Sequence, residues 1–203
     1  MESMAVAKCN THPVDAMLVV SDVLNNRRLA QLYTRVLCRG NAAVDEIATG
    51  LDSSSTTVYE GVNKLAEAGL LDRVTERQPH RYRAPPVSVT VQAADESYEI
   101  TPTLIAAVAH STENQNIDVY LDRQGVSGLA TATEYAREYM KGKTTSRIMA
   151  RELDISVLEA ETILQELRDI ILSVEPDLKE EMDLDELDSM VGVSTDRDET
   201  ETE

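Results

Sequence analysis

The spacing of apolar positions along the chain predicts a mainly helical protein with a small β-rich insertion. Apolar residues recur every three or four positions over residues 14–26, 27–39, 42–51 and 54–68, which is the spacing of helices that bury one face. Gly40 and Gly69 end two of these runs, as glycine often does at helix C-termini. Four consecutive helices are therefore expected in the first third of the chain.

The apolar period changes from helical to alternating after Gly69. Residues 71–75 and 80–84 alternate around the turn-forming segment ERQP, so a β-hairpin is expected over 71–84. A third strand is expected around 87–91, and the segment DESYEI at 95–100 is a candidate partner for it.

Beyond Pro102 the pattern is helical again, and it defines the predicted domains. Helices are expected at 102–110, 117–123, 127–141, 145–153 and 156–173. The predicted organisation is a flexible N-terminus (1–13), a winged helix-turn-helix domain (14–92), a helical interaction domain (93–174) and an acidic disordered tail (175–203).

Charge is unevenly distributed along the chain. The net charge is −18, yet residues 15–92 carry nine acids and nine bases, while residues 175–203 carry thirteen acids and two bases. Because only five of the nineteen bases are lysines, the composition resembles that of haloarchaeal proteins from a salt-loaded cytoplasm. The alternative is an ordinary acidic protein with a disordered tail. A membrane-length apolar run and a leader pattern are missing from the sequence, so a cytoplasmic location without membrane contact is expected.

The order helix, short helix, four-residue turn, capped helix and hairpin is that of a winged helix-turn-helix. In this arrangement Ile47, Ala48 and Leu51 meet Val58 and Val62, and helix 54–68 stands out from the body. Its outward side chains are expected to be Ser, Thr, Tyr, Asn and Lys, leaving this face free of acid. Such a face suits phosphates and base edges in a major groove, with the hairpin 71–84 as a wing.

The predicted DNA contacts combine the start of this helix with the basic residues around it. They are Arg27, Arg28, Ser54, Ser55, Thr56, Thr57, Tyr59, Asn63, Lys64, Arg77, His80, Arg81 and Arg83.

The segment DEIATGLDSSSTTVYEGVNKLAEAGLLDRV resembles the DNA-binding domain of the MarR, ArsR and TrmB groups of prokaryotic transcription regulators. Val58, Leu65, Gly69 and Leu70 match the pattern of their recognition helix, and the resemblance covers residues 20–92. It implies a sequence-specific regulator that binds double-stranded DNA as a homodimer. The metal-sensing cysteine pairs of some ArsR proteins and the sugar-binding C-terminal domain of TrmB proteins have no counterpart here, so neither effector carries over and no cofactor is expected.

A second feature is an internal repeat with an offset of 102 residues. The offset aligns Ala48 with Ala150, Leu51 with Leu153, and Ser54 with Ser156, and it repeats the apolar frame of the helix pair. The surface is not repeated, because the second helix carries several acids. We therefore expect a second helix-turn-helix frame used for protein contact and dimerisation, with chance similarity as the alternative. Lys141, Lys143, Arg147 and Arg151 are its only features that favour nucleic acid.

No motif indicates catalysis, and Cys9 with His12 supplies too few ligands for a metal site. Cys38 is expected to be a buried core thiol. The chain is thus predicted to be no enzyme. The alternative to a transcription regulator is a non-catalytic tandem winged-helix adaptor, of the kind that bridges chromosome-condensing complexes.

Overall fold

Helices form most of the protein, as the sequence pattern predicts. The computed structural model describes residues 13–51, 53–75, 77–93 and 96–178. The helices are α1 (Pro13–Asn25), α2 (Arg27–Arg39), α3 (Val44–Ala48), α4 (Ser55–Glu67), α5 (Pro102–His110), α6 (Gln115–Met140), α7 (Ser146–Glu152) and α8 (Val157–Val174). The strands are β1 (Ala42–Ala43), β2 (Asp72–Arg73), β3 (Arg81–Arg83), β4 (Val89–Ala93) and β5 (Glu96–Ile100). A winged helix-turn-helix followed by a helical region is therefore confirmed.

The wing is part of a three-stranded antiparallel sheet with the order β1-β3-β2. Ala42 pairs with Tyr82, and Asp72 pairs with Arg83. The prediction that residues 42–43 begin the short helix is wrong, because they form the edge strand β1 and the helix starts at Val44. Through β1 the sheet ties the wing to the start of α3.

A separate hairpin follows the wing. Strands β4 and β5 pair in antiparallel register, with Val89 opposite Ile100, as the sequence suggested. The predicted boundary between residues 92 and 93 falls inside β4, so a division at that point would cut the hairpin.

The internal repeat is visible in the backbone. Helix α7 starts 102 residues after α3, and α8 starts 102 residues after α4. Gly40 and Gly142, separated by the same offset, both adopt positive φ (71° and 67°) after the helix that precedes each pair. Among the described residues no strand follows the second helix pair, and α8 continues to Val174. The helices predicted at 117–123 and 127–141 form one element, α6, interrupted at Gly125, where φ is 70°.

The two units share one continuous set of buried residues. Helix α2 packs against α5, and α8 packs against α6 and α7. The predicted tail begins at residue 175, but Glu175 pairs with Arg137 and Leu178 is buried, so those first residues belong to the folded body. Residues 1–12 and 179–203 lie outside the described residues, and with them most of both predicted terminal segments.

The exposure of Cys38 differs from the sequence prediction. Cys38 is exposed on α2, which makes the prediction of a buried thiol wrong: the residue lies on the helix side away from Val36 and Tyr33.

Within the described ranges, no helix is both long and apolar enough to cross a membrane.

Candidate nucleic-acid interface

Helix α4 packs against the body of the protein through its apolar side, and its first turn is exposed to solvent. Ser54 caps the helix by accepting a hydrogen bond from the Thr57 amide at 3.2 Å. Val58, Val62 and Leu65 are buried against the body. The side chains of Ser54, Ser55, Thr56, Thr57 and Tyr59 are exposed, as the sequence predicts. Asn63 is half-buried and Lys64 is exposed.

The expectation that this helix face is free of acid is wrong. Glu60 and Glu67 are both exposed on α4. At 100° per residue, Glu60 lies between Thr56 and Lys64 near the centre of the outward face. Sequence alone carried this signal, because the helical spacing that buries Val58 and Val62 points residue 60 outward. The start of the helix is still free of acid.

The wing tip lies beside the exposed start of α4. A cleft of about 480 Å³ is lined by Ser55 and Tyr59 of α4, by the beginning of α3, and by Gln78, Pro79 and His80 of the wing. Arg77 at the same wing tip is exposed. The helix and the wing therefore present one joint surface to solvent.

Arg81 is held within the protein by a group of close contacts. Its guanidinium donates to the Asn41 side chain at 3.0 Å and to the Asn41 carbonyl at 2.9 Å, and it forms an ion pair with Glu46 at 3.0 Å. As placed, Arg81 fastens β3 to α3, and a phosphate contact would require breaking these bonds. His80 lines the cleft and also contacts the backbone of its own hairpin, since its Nδ1 lies 3.2 Å from the Thr75 carbonyl oxygen.

The two adjacent arginines at the start of α2 are placed differently. Arg27 forms ion pairs with Asp118 at 2.6 Å and Asp122 at 3.1 Å, both on α6. Arg28 is exposed and makes no ion pair with any described residue. It lines a second cleft, of about 270 Å³, together with Thr57, Glu60 and Lys64 of α4. Of the pair, only Arg28 shares a surface with the recognition helix.

Lys64 and Arg83 occupy intermediate positions. Lys64 pairs with Asp22 at 2.9 Å and Arg83 with Asp72 at 3.1 Å, and all four side chains are largely exposed. Exposed ion pairs contribute only about 0–1 kcal/mol, so they exchange readily for other partners. These two cations remain accessible to a phosphate.

Comparison with known families fits this arrangement of helix and wing. Residues 29–88 match the family described as sugar-specific transcriptional regulator TrmB. The matched segment runs from α2 through the wing, so the chain carries the DNA-binding domain of a transcription regulator. Residues 111–176 match a family of unknown function, DUF7437. Searches of the curated proteins and of the solved structures find no match to the chain.

Some residues of the surface formed by α4 and the wing escaped sequence reasoning. Asn26 and Ser53 line the cleft beside Arg28, and Gln78 lines the cleft at the wing. Asn26 caps α2 by accepting from the Arg28 amide at 3.1 Å. The signal for it was present, because an asparagine directly before a periodic helical run is a typical N-cap. Arg73, exposed on β2, was also missed.

The junction between α3 and the wing is polar. The Glu46 carboxylate accepts a hydrogen bond from the Ala43 amide at 2.8 Å, and this bond, with that from Arg81, lowers the pKa of Glu46. In the part of the chain that the structure describes, no three His, Cys, Asp or Glu residues converge as metal ligands, and Cys9 and His12 lie outside it.

Proposed function

We propose that the protein is a sequence-specific DNA-binding transcription regulator that acts as a homodimer. The start of α4 would enter a major groove, and the wing would contact the neighbouring backbone. The hydroxyls of Ser55, Thr56 and Thr57, with Tyr59 and Asn63, are the proposed contacts to base edges and nearby phosphates.

The observation that carries this proposal is the shared cleft between α4 and the wing. Ser55 and Tyr59 face Gln78 and His80 across it, so a duplex lying on the helix also meets the wing tip. Together with the match to a regulator family over residues 29–88, this geometry favours DNA over other partners.

The proposed phosphate contacts are made by the cations that remain accessible in the folded protein. Arg28, Arg73 and Arg77 are exposed and form no ion pair with any described residue. Lys64 and Arg83 can leave their exposed partners at small cost. The proposal therefore centres the backbone contacts on Arg28 and the wing tip. Arg27 and Arg81 remain DNA contacts only as predictions from sequence.

Base contacts carry more of the affinity if the host cytoplasm is rich in salt, as the composition suggests. Counterion release weakens phosphate binding steeply as salt rises. A homodimer that reads two half-sites compensates, because the contacts of two recognition helices add. We propose that the helical region from α5 to α8 holds the two copies together.

Operator selection from random duplexes, done with the full chain in potassium salt near the host concentration, tests the proposal. An enriched motif with two related half-sites is expected. Thr56→Ala and Asn63→Ala should change which bases are enriched, whereas Arg77→Ala should weaken binding to all sequences alike. Recovery of no motif, with all three variants behaving as wild type, would exclude the function.

A second candidate is a non-catalytic adaptor with two helix-turn-helix frames. It is favoured by the acidic and apolar surface of α8, which suits a protein partner better than DNA. Purification from the host separates the two. A stoichiometric foreign partner, with no DNA bound by the full chain, would support the adaptor.

A further inference from the structure

We propose that the start of α8 and the groove beside it bind a second copy of this chain, with Leu158 at the centre of the contact. The inference deepens the proposed function, since it gives the proposed dimer a surface. It is reached without reference to DNA, and its test can succeed or fail independently of DNA binding.

The duplicated frame shows what has changed between the two units. Val157 and Leu158 occupy in α8 the positions that Ser55 and Thr56 occupy in α4. Val157 is 41% exposed and Leu158 is 74% exposed. Where α4 offers hydroxyl groups to solvent, α8 offers two aliphatic side chains, which are costly to leave in water.

A groove continues this apolar surface from Leu158 toward α6. It measures about 360 Å³ and lies between the first half of α6 and the start of α8. Val119, which is 47% exposed, lines it, with the largely buried Tyr120 and Ile163. Arg123 and Glu159 form an ion pair at 3.0 Å at its rim. An apolar centre within a polar rim is the usual composition of a protein–protein contact.

The acids of α8 argue against two other occupants. Glu159 and Glu161 stand at the positions of Thr57 and Tyr59, so DNA would bring phosphates against carboxylates. The chain's own segment 179–203 carries eleven acids and two bases, which is far more negative charge than Lys143 and Arg147, the two cations beside the patch that form no ion pair with a described residue, can balance. Neither a duplex nor the C-terminal segment matches this surface.

A second copy matches because the charges around the patch are balanced. Lys143 and Arg147 near the start of α7, and Asp154 and Glu161 near the start of α8, are exposed and form no ion pair among the described residues. A two-fold axis places each patch against its own copy, so that the cations of one protomer meet the carboxylates of the other. Two Leu158 side chains would then pack side by side near the axis.

Light scattering of the full chain at fixed salt tests this surface. The wild type should be a dimer, and Leu158→Glu should raise the dimer dissociation constant by at least about tenfold, which corresponds to about 1.4 kcal/mol. The matched control is Leu18→Glu on α1, where the leucine is 62% exposed, and it should stay dimeric. A monomeric wild type, a dimeric Leu158→Glu, or dissociation by Leu18→Glu instead would each overturn the proposal.

Further measurements show whether the Leu158→Glu variant is folded and whether the C-terminal segment takes part in the contact. An acid in the first turn of α8 is favourable to the helix, so the melting curve of Leu158→Glu should match that of the wild type. If it does not, Leu158→Ala gives the same test with a smaller change. A chain ending at residue 178 should remain dimeric, and loss of the dimer there would assign the patch to the C-terminal segment.

A cross-link gives direct evidence of the axis. In a Cys9→Ser/Cys38→Ser background, Leu158→Cys treated with the thiol oxidant diamide should yield a covalent dimer, because the two thiols meet across the axis. Leu18→Cys should not. If Leu158→Glu is monomeric but still binds a single half-site, this surface and the DNA-binding function are both upheld. If it is monomeric and binds no DNA at any concentration, only the DNA-binding function fails.

Discussion

Gly61 of α4 lies directly against Leu32 of α2. A Cβ placed on Gly61 would stand 2.4 Å from Leu32 Cδ1 and 3.6 Å from Leu29 Cδ2. Real Cβ atoms do not approach another heavy atom that closely, so the absence of a side chain at residue 61 allows α4 to sit on α2. The close approach of α4 to α2, which positions the recognition helix, is at this glycine.

Gly61→Ala should therefore destabilise the protein even though alanine favours helices. Leu32 is 4% exposed, so its terminal methyl has to shift against buried neighbours to admit the added Cβ. Overpacking costs about 1–3 kcal/mol, against about 1 kcal/mol gained in helix propensity, and a net loss of about 1 kcal/mol in unfolding free energy is expected. Urea denaturation measures this loss in unfolding free energy. In a Leu32→Ala background the same change should become neutral or stabilising, and simple additivity of the two would contradict the contact.

Alanine substitutions of the two neighbouring arginines at the start of α2 should distinguish a structural role from a role in DNA binding. Arg28→Ala removes an accessible cation beside Thr57 and Lys64, and DNA affinity should fall for every sequence with a shallower salt dependence. Arg27→Ala removes the ion pairs to Asp118 and Asp122, so it should lower stability by up to about 1 kcal/mol and leave DNA affinity unchanged. Fluorescence anisotropy over a salt series compares them. Equal loss of affinity in both variants would restore Arg27 as a DNA contact.

Sequence reasoning succeeded where local rules decide the structure. Ser54 and Ser156 cap their helices as serine before an apolar run predicts, and Gly40 takes the positive φ expected of a helix-ending glycine. The 102-residue offset found in the apolar pattern recurs in the first residues of α7 and α8. The caps and the glycine depend on neighbours within a few positions, and the offset appears when two segments of the sequence are compared, so the sequence displays each of them directly.

Sequence reasoning could not foresee contacts whose partner lies far along the chain. Arg27 and Asp118 are 91 positions apart, and nothing local marks one arginine as ion-paired and the next as exposed. Arg81 likewise contacts Glu46 and Asn41 only because β1 pairs with β3. Glu60 is a different case, since its outward position follows from helical spacing and needed no structure.

Glu60 should weaken DNA binding in the wild type. Its carboxylate is exposed near the centre of the face that the proposed function turns toward a duplex. Glu60→Gln keeps the size of the side chain and removes the charge, so affinity should rise roughly threefold for all sequences at moderate salt and less at high salt. Glu138→Gln, at an exposed position on α6 outside both proposed surfaces, is the matched control and should leave affinity unchanged. An increase that is confined to one sequence would mean that Glu60 reads a base.

The stability of the α3–wing junction should depend on pH through Glu46. Hydrogen bonds from the Ala43 amide and from Arg81 favour the carboxylate, and they hold the pKa of Glu46 below its ordinary value in the folded protein. A group with a lowered folded pKa stabilises the fold above its unfolded pKa, and that contribution is lost as the pH falls through the folded pKa.

Glu46→Gln cannot ionise, so its deficit in unfolding free energy relative to the wild type should be largest near neutral pH. The deficit should shrink as the pH is lowered from about 7 to about 3, across the range where glutamate titrates. Urea denaturation at each pH measures both proteins, and the comparison cancels the titration of the other acids. Glu67→Gln, at an exposed position on α4, is the matched control for the removal of one carboxylate. A Glu46→Gln deficit that stays constant down to about pH 3 would mean that the junction is held by packing and not by the charge of this carboxylate.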